Sequence, residues 1–524
     1  MRNNLSQLSQ QARLSVQRRD WARVYSLAHN IQELDKNEPE GYFLLGLAQK
    51  ASGRTQMAVD AFAQALSFGP QRYDAAIELA QLYLLLLRHG DAYGLLCHHE
   101  QLLNNSPLYL DMAAMTFSGL GLHTRAWPLY QKANQLQPDI DMFREHLAAC
   151  GVLLGKVKEA TAIYKSLCDK YPQHQRNHYE LSKLGTAKDN KHIAQMQDIL
   201  ASSKSSPDKN IFMYYAIGKE LEDLGRWKES FEYYKMGGEA VITVANYDVA
   251  NDIKLIEKIK NTCTADWLSA NTPSTHSQTL AKTPIFIVGL PRTGTTLVER
   301  ILSSHSQVES ADETFFMQMA IRQASGAGGI QEVDESIIES AAQKDILLIA
   351  KHYMNSVEYR LSDRPMFIDK YPYNYLYLGF IAKAFPNAQI IYLKRNPMDA
   401  CFAMFKQSFF KFAYSLDDLG HYYVAQDNLQ KHWKSILGDR LIEVNYESLV
   451  TMQEANTKEI LGKLGLEFEQ ACLDFEKNPA SSATASTLQV REKIHTRSVN
   501  KWKHFSDELA PLQKFLNQAD IKTN

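Results

Sequence analysis

Small and apolar residues recur along the first half of the chain with a fixed period. Ala58, Ala92, Ala126, Ala160 and Ala194 are each 34 residues apart. Twelve residues before each stands a small residue (Gly46, Ala80, Ala114, Ala148, Ser182), and four residues after the first four stand Phe62, Leu96, Tyr130 and Tyr164. Pro70, Asn104, Pro138 and Pro172 punctuate the ends of the units. This pattern predicts stacked helix pairs, with small residues where two helices cross and a large apolar side chain filling the gap toward the next pair. The register is clear over 39–174 and degenerate over 5–38, where Trp21, Val24, Ala28 and Ile31 carry it. It weakens over 175–242: Asp198 replaces the aromatic and the stretch from Ser202 to Pro207 interrupts it, before Gly218, Leu221, Trp227, Ser230 and Tyr234 restore it.

The second half has another rhythm. Short runs of β-branched and aromatic residues, at Ile285–Val288 and beginning at Met366, Gln389 and Leu441, alternate with helical patterns. Such runs predict the strands of a buried parallel sheet. The Ser/Thr-rich segment from Ser269 to Thr279 reads as a linker. The expected fold class is therefore α plus α/β: a helical solenoid over 1–260, a linker over 261–283, and an α/β domain with a central parallel sheet over 284–524.

The 34-residue pattern resembles tetratricopeptide repeats. That resemblance implies a concave surface holding an extended peptide or protein; a packing or dimerisation platform is the other reading of the same array. Composition narrows the partners further. With 45% apolar and 22% charged residues and a formal net charge of −2, the chain has no global basic surface for nucleic acid or lipid. The longest apolar run, Leu82 to Leu87, is too short to span a bilayer, and the first ten residues lack the apolar core of a secretory signal, so a cytoplasmic protein without membrane insertion is expected. Six scattered cysteines show no metal-ligand spacing, and buried thiols are expected.

Candidate chemistry begins at Gly289, where the first strand of the second half ends. Gly289 to Gly294 forms a loop from which Thr295 opens a helix, and the N–H groups of such a loop converge on an anion. The spacing fits the nucleotide-binding pattern G-x-x-x-x-G-K-[ST] at both glycines and at Thr296, but Thr295 stands where that pattern has lysine. Arg292 inside the loop offers a planar, permanently charged fork instead.

Leu290-Pro-Arg-Thr-Gly-Thr-Thr296 resembles the 5′-phosphosulfate loop of sulfotransferases. Its arginine form is that of tyrosylprotein sulfotransferases and of bacterial sulfotransferases fused to tetratricopeptide repeats. The resemblance runs through five ordered elements from Thr283 to about Phe515. It implies a P-loop-like fold, the donor 3′-phosphoadenosine 5′-phosphosulfate (PAPS), the product adenosine 3′,5′-bisphosphate (PAP), and no metal. Arg292, Thr293, Gly294, Thr295 and Thr296 are then expected on the phosphosulfate. Glu313, 21 residues after Arg292, is expected as general base, with Asp312 and Glu309 as neighbouring competitors. Lys370, in Asp369-Lys-Tyr-Pro372, is expected to neutralise the leaving bridging oxygen. Arg395 is assigned to the 3′-phosphate. The serine usual eight residues later is Ala403 here, a loss of about 1 kcal/mol for a neutral hydrogen bond, which Lys406 is placed to offset. Tyr446 is a candidate cofactor contact or a core tyrosine. In the C-terminal segment, Ser486 is expected on the phosphosulfate, Gln489 and Val490 on the cofactor, and Lys501 on the 3′-phosphate.

The implied activity is in-line transfer of a sulfuryl group to a hydroxyl. Tyrosine in a peptide or protein held by the repeats is the favoured acceptor; a carbohydrate, lipid or small alcohol, or a nucleotide-binding scaffold without chemistry, are the other readings. The missing loop lysine and the lack of a paired Mg²⁺-ligand pattern argue against a nucleoside triphosphatase.

Overall fold

The computed structural model describes residues 2–103, 106–202, 206–270, 282–327, 332–480, 484 and 486–523. Asn104, Ala485 and residues 271–281 of the expected linker lie outside the described residues. The chain folds as two compact units, Met1–Cys150 and Gly151–Asn524.

The first unit is a stack of helix pairs: Arg2–Gln17 with Trp21–Leu34, Pro39–Ala51 with Thr55–Phe68, Tyr73–Leu85 with His89–His99, and Pro107–Gly119 with His123–Leu136. Ala58, Ala92 and Ala126 are fully buried, as helix crossings require. Gly46 shows why the crossing residue must be small: a Cβ there would lie 2.5 Å from the ring of Phe62. Buried Glu40 ties successive pairs together, accepting from Arg13 at 2.8 Å and Arg72 at 2.6 Å.

In the second unit the helices continue with Val157–Lys170, Gln175–Lys183, Lys191–Ser202, Ile211–Asp223 and Trp227–Ile242. Ala160 and Tyr164 keep the register, but Ala194 is exposed and Ile193 and Met196 are buried instead. The physical reason is local: Gln175–Lys183 has only nine residues, and the long connection to Lys191 shifts the inward face. The last pair returns to the pattern, with Gly218 making room for the Tyr234 ring, which an added Cβ would approach to 2.9 Å. Helix Val249–Thr262 follows and buries Ile256 and Ile259 in the core of this unit, and Ala265–Ser269 is a further short helix, so the stretch before the linker is packed structure.

The sheet is five-stranded and parallel, with β1 Thr283–Gly289, β2 Val308–Ser310, β3 Met366–Asp369, β4 Gln389–Lys394 and β5 Leu441–Asn445 in the order β2-β3-β1-β4-β5. Both faces are covered, as a parallel sheet demands. Phe286 and Val288 of β1 point into one core, with Phe367, Ile390 and Tyr392; Ile285 and Ile287 point into the other, with Ile368, Ile391 and Leu393. β1 sits between β3 and β4, so the chain crosses from one side to the other at its C-terminal end, where open α/β sheets bind ligands. Among the described residues no helix is long and apolar enough to cross a membrane.

Candidate active site

The loop after β1 is held in a conformation its sequence resists. Gly294, at φ +103°, caps the helix Thr295–Ser303, and the Tyr446 ring lies 2.6 Å from where a Cβ would stand. Arg292 adopts φ +67°, a left-handed conformation that costs a non-glycine residue on the order of 1 kcal/mol. Its carbonyl is fixed by Arg395, whose Nη1 donates at 2.7 Å. Thr293 Oγ1 donates back to the Leu290 carbonyl at 2.7 Å, closing the loop.

The C-terminal segment folds onto this loop. Arg292 donates to Ser486 Oγ and, at 3.3 Å, to Gln489 Oε1, while Thr296 Oγ1 donates to Thr484 Oγ1 at 3.2 Å. Val490 is buried in the short turn that follows Gln489. Burial and then the nearby Arg395 bring the Arg292 guanidinium down to about 10, which leaves it charged at neutral pH. Arg395 also donates to the Ser498 carbonyl at 2.6 Å and lies over the Tyr446 ring, 4.7 Å from its centre. Among the described residues neither guanidinium forms an ion pair with a carboxylate, and the Nε of each is buried without a partner. Two half-buried cations beside a helix N-terminus, without a carboxylate between them, are costly unless an anion joins them. A cavity of about 670 Å³ opens here, lined by Thr293, Arg395, Asn396, Glu447 and Asn500 among others.

On the other side of the loop helix, fully buried Lys370 at the end of β3 donates to Glu313 at 2.8 Å. The rival carboxylates are engaged elsewhere. Glu309 accepts from Lys282 at 2.9 Å and from the Ser362 N–H at 2.7 Å. Asp312, at φ +64°, accepts from the Glu313 N–H at 2.9 Å and shapes the turn. Glu299, which sequence reasoning missed, lies 3.7 Å from Lys370 and accepts from Ser310 Oγ at 2.6 Å. Burial raises the Glu299 carboxyl to about 7 against the pull of Lys370. A lone carboxylate among Val298, Ile301 and Leu302 was the available signal, since those neighbours define a buried helix face.

Asp369 joins the two halves of this corner. It is fully buried, accepting from Thr314 Oγ1 at 3.0 Å, Tyr353 OH at 2.9 Å and Asn374 Nδ2 at 3.2 Å, and so ties the residue after Glu313 to the residue before Lys370. Burial raises its carboxyl from 3.8 to about 7. The folded chain thus binds this proton more tightly than the unfolded chain, so the associated stability is complete below the unfolded value and is lost as pH rises through about 7. Asp369→Asn removes that dependence. Relative to the variant, the wild type should lose on the order of 3 kcal/mol between pH 4 and 8, read by chemical denaturation at each pH; a pH-independent difference would contradict the assignment.

Lys501 and Lys406 share an internal partner, the carboxylate of Glu222. Lys406, expected to replace the serine hydroxyl missing at Ala403, donates instead to both oxygens of Glu222, at 2.8 and 3.0 Å. Lys501 also forms an ion pair with Glu222. Glu222 comes from helix Ile211–Asp223, and nothing in its local sequence announced the contact.

Residues 284–470 match the model of the sulfotransferase family. An uncharacterized protein of Aquifex aeolicus is 30% identical over 323 residues, covering 58% of this chain and 41% of that protein. Protein-tyrosine sulfotransferase 1 of Danio rerio is 26% identical over 243 residues, covering 42% of this chain and 65% of that protein. The match therefore spans less than two thirds of either relative. Among solved structures, the sulfotransferase domain from the curacin biosynthetic pathway is 16% identical with a TM-score of 0.33, over 46% of this chain and 99% of that one. Helix pairs with a 34-residue period thus precede a stretch, residues 284–470, that matches the sulfotransferase family.

Proposed function

We propose that the chain transfers a sulfuryl group from PAPS to an acceptor hydroxyl. The observation that carries this reading is the pair of half-buried arginines, Arg292 and Arg395, each with a buried, unpartnered Nε and without a carboxylate partner among the described residues. When bound, PAPS supplies a sulfuryl group on a phosphate leaving group. Arg292, Ser486, Gln489 and the N–H groups of Gly294, Thr295 and Thr296 would hold the phosphosulfate, with Thr293 and Val490 shaping the cradle. Arg395, Tyr446 and Lys501 would hold the 3′-phosphate end.

Lys370, fully buried, would place fixed positive charge where the leaving oxygen becomes negative. Glu313, only a quarter exposed and anchored by Lys370, takes the proton of the acceptor hydroxyl onto its carboxylate as the oxygen attacks. The favoured acceptor is a tyrosine in a peptide or protein delivered by the repeats. Two observations support it: the relative named as a protein-tyrosine sulfotransferase, and the aromatic rim beside Glu313, where exposed Phe315 meets Tyr371 edge-on at 5.2 Å and can bracket a phenol ring.

The test is incubation of the full chain with ³⁵S-labelled PAPS and a cell extract. Label recovered on tyrosine after proteolysis supports both parts of the reading. Label only in protease-resistant small molecules overturns the peptide acceptor and keeps the sulfotransferase; absence of transfer together with absence of PAP binding overturns both.

A further inference from the structure

Glu222 is only 6% exposed, yet three groups converge on its carboxylate. Lys406 donates to both oxygens, Tyr234 OH donates to Oε2 at 2.9 Å, and Lys501 pairs with Oε1. A carboxylate offers about four lone-pair sites, and these contacts fill them. Burial raises the Glu222 carboxyl, but the two ammonium groups overcome this and hold it near 2. Glu222 therefore stays charged and in place, because leaving would strand a buried lysine and a buried tyrosine hydroxyl.

Lys501 is the one member of this cluster with an open side, its side chain 36% exposed. Its backbone is also fixed: Asp399 accepts from the N–H of Asn500 at 2.6 Å and of Trp502 at 3.0 Å, pinning both neighbours to helix Pro397–Phe405. An ammonium has three N–H donors. Glu222 takes one, and the adjoining Asn500 lines the cavity beside Arg395.

We infer that Glu222, a residue of the last repeat pair, is a positioning residue of the cofactor site that orients Lys501, with Lys406 behind it, toward the nucleotide's 3′-phosphate. The inference rests on the PAPS reading above. It makes the repeat array a structural part of nucleotide recognition, with Tyr234 and Gly218 holding the carboxylate in place from within the helix pair. It also accounts for the tolerance of Ala403, since an oriented lysine outweighs one neutral hydroxyl contact.

The test is calorimetric titration of the full chain with PAP and with 5′-AMP, which lacks the 3′-phosphate. Wild type should prefer PAP. Glu222→Gln should weaken PAP about tenfold and leave 5′-AMP within about twofold, since the carboxamide no longer fixes the ammonium. Tyr234→Phe, which removes a single hydroxyl, should move PAP affinity in the same direction by about threefold and serves if Glu222→Gln does not fold. Unchanged or tighter PAP binding in a folded variant overturns the inference while leaving the cofactor reading intact, as does equal loss for both nucleotides. A wild type that does not distinguish PAP from 5′-AMP overturns the cofactor reading, and the inference with it.

Discussion

Glu313→Gln should lower turnover at least about a hundredfold while the affinity for PAP stays within about twofold. The substitution keeps the shape of the side chain and removes only its ability to take a proton. Lys370 keeps a carboxylate neighbour in Glu299, 3.7 Å away, so the buried ammonium is not stranded and the corner should stay folded. Labelled-sulfate transfer measured beside PAP titration separates the two quantities. Near-normal turnover would show that another group accepts the proton, and Asp312, which already contributes to the field at Lys370, would be examined next.

Lys370→Met should be the more damaging change. If, as proposed, leaving-group charge develops beside this ammonium, removing it is expected to cost about a thousandfold in turnover. It also leaves Glu299 and Glu313 facing each other without a cation. Breaking a buried pair from one side costs about 3 kcal/mol, eased here because Glu299, already near 7, takes up a proton readily. The double variant Lys370→Met/Glu299→Gln tells the two losses apart: it should recover most of the stability and none of the activity. Recovery of turnover to within about tenfold of wild type would remove Lys370 from the chemistry.

What could be read in the chain before folding was what lies close together along it. The strand, glycine-bounded loop and helix from Ile285 to Leu302 are contiguous, so their periodicity and turn residues carried the geometry. The 34-residue period was legible because each pair repeats the same crossing, as at Gly46 and Phe62. β2 escaped notice because three residues, Val308–Ser310, are too few to establish an alternation. Glu222 escaped for a different reason: its two lysine partners lie 184 residues and more downstream, and before folding it is one carboxylate among many on a helix. Lys406 shows the same limit: a lysine near an arginine corner suggests an anion from outside, and the fold also supplies one from within.

The strand order has a kinetic consequence. Each repeat pair forms from residues a few dozen apart, whereas β1 must find β3 across more than eighty residues, with Thr283 opposite Met366, and β4 beyond it. Local contacts close quickly and distant parallel pairings slowly. The repeats also leave the ribosome first, and in the second unit they bring Phe231 against Phe405 and Trp227 against His504. The helices that hold Glu222 against Lys406 in the finished protein are thus available, during synthesis, as a preformed wall against which the later half condenses.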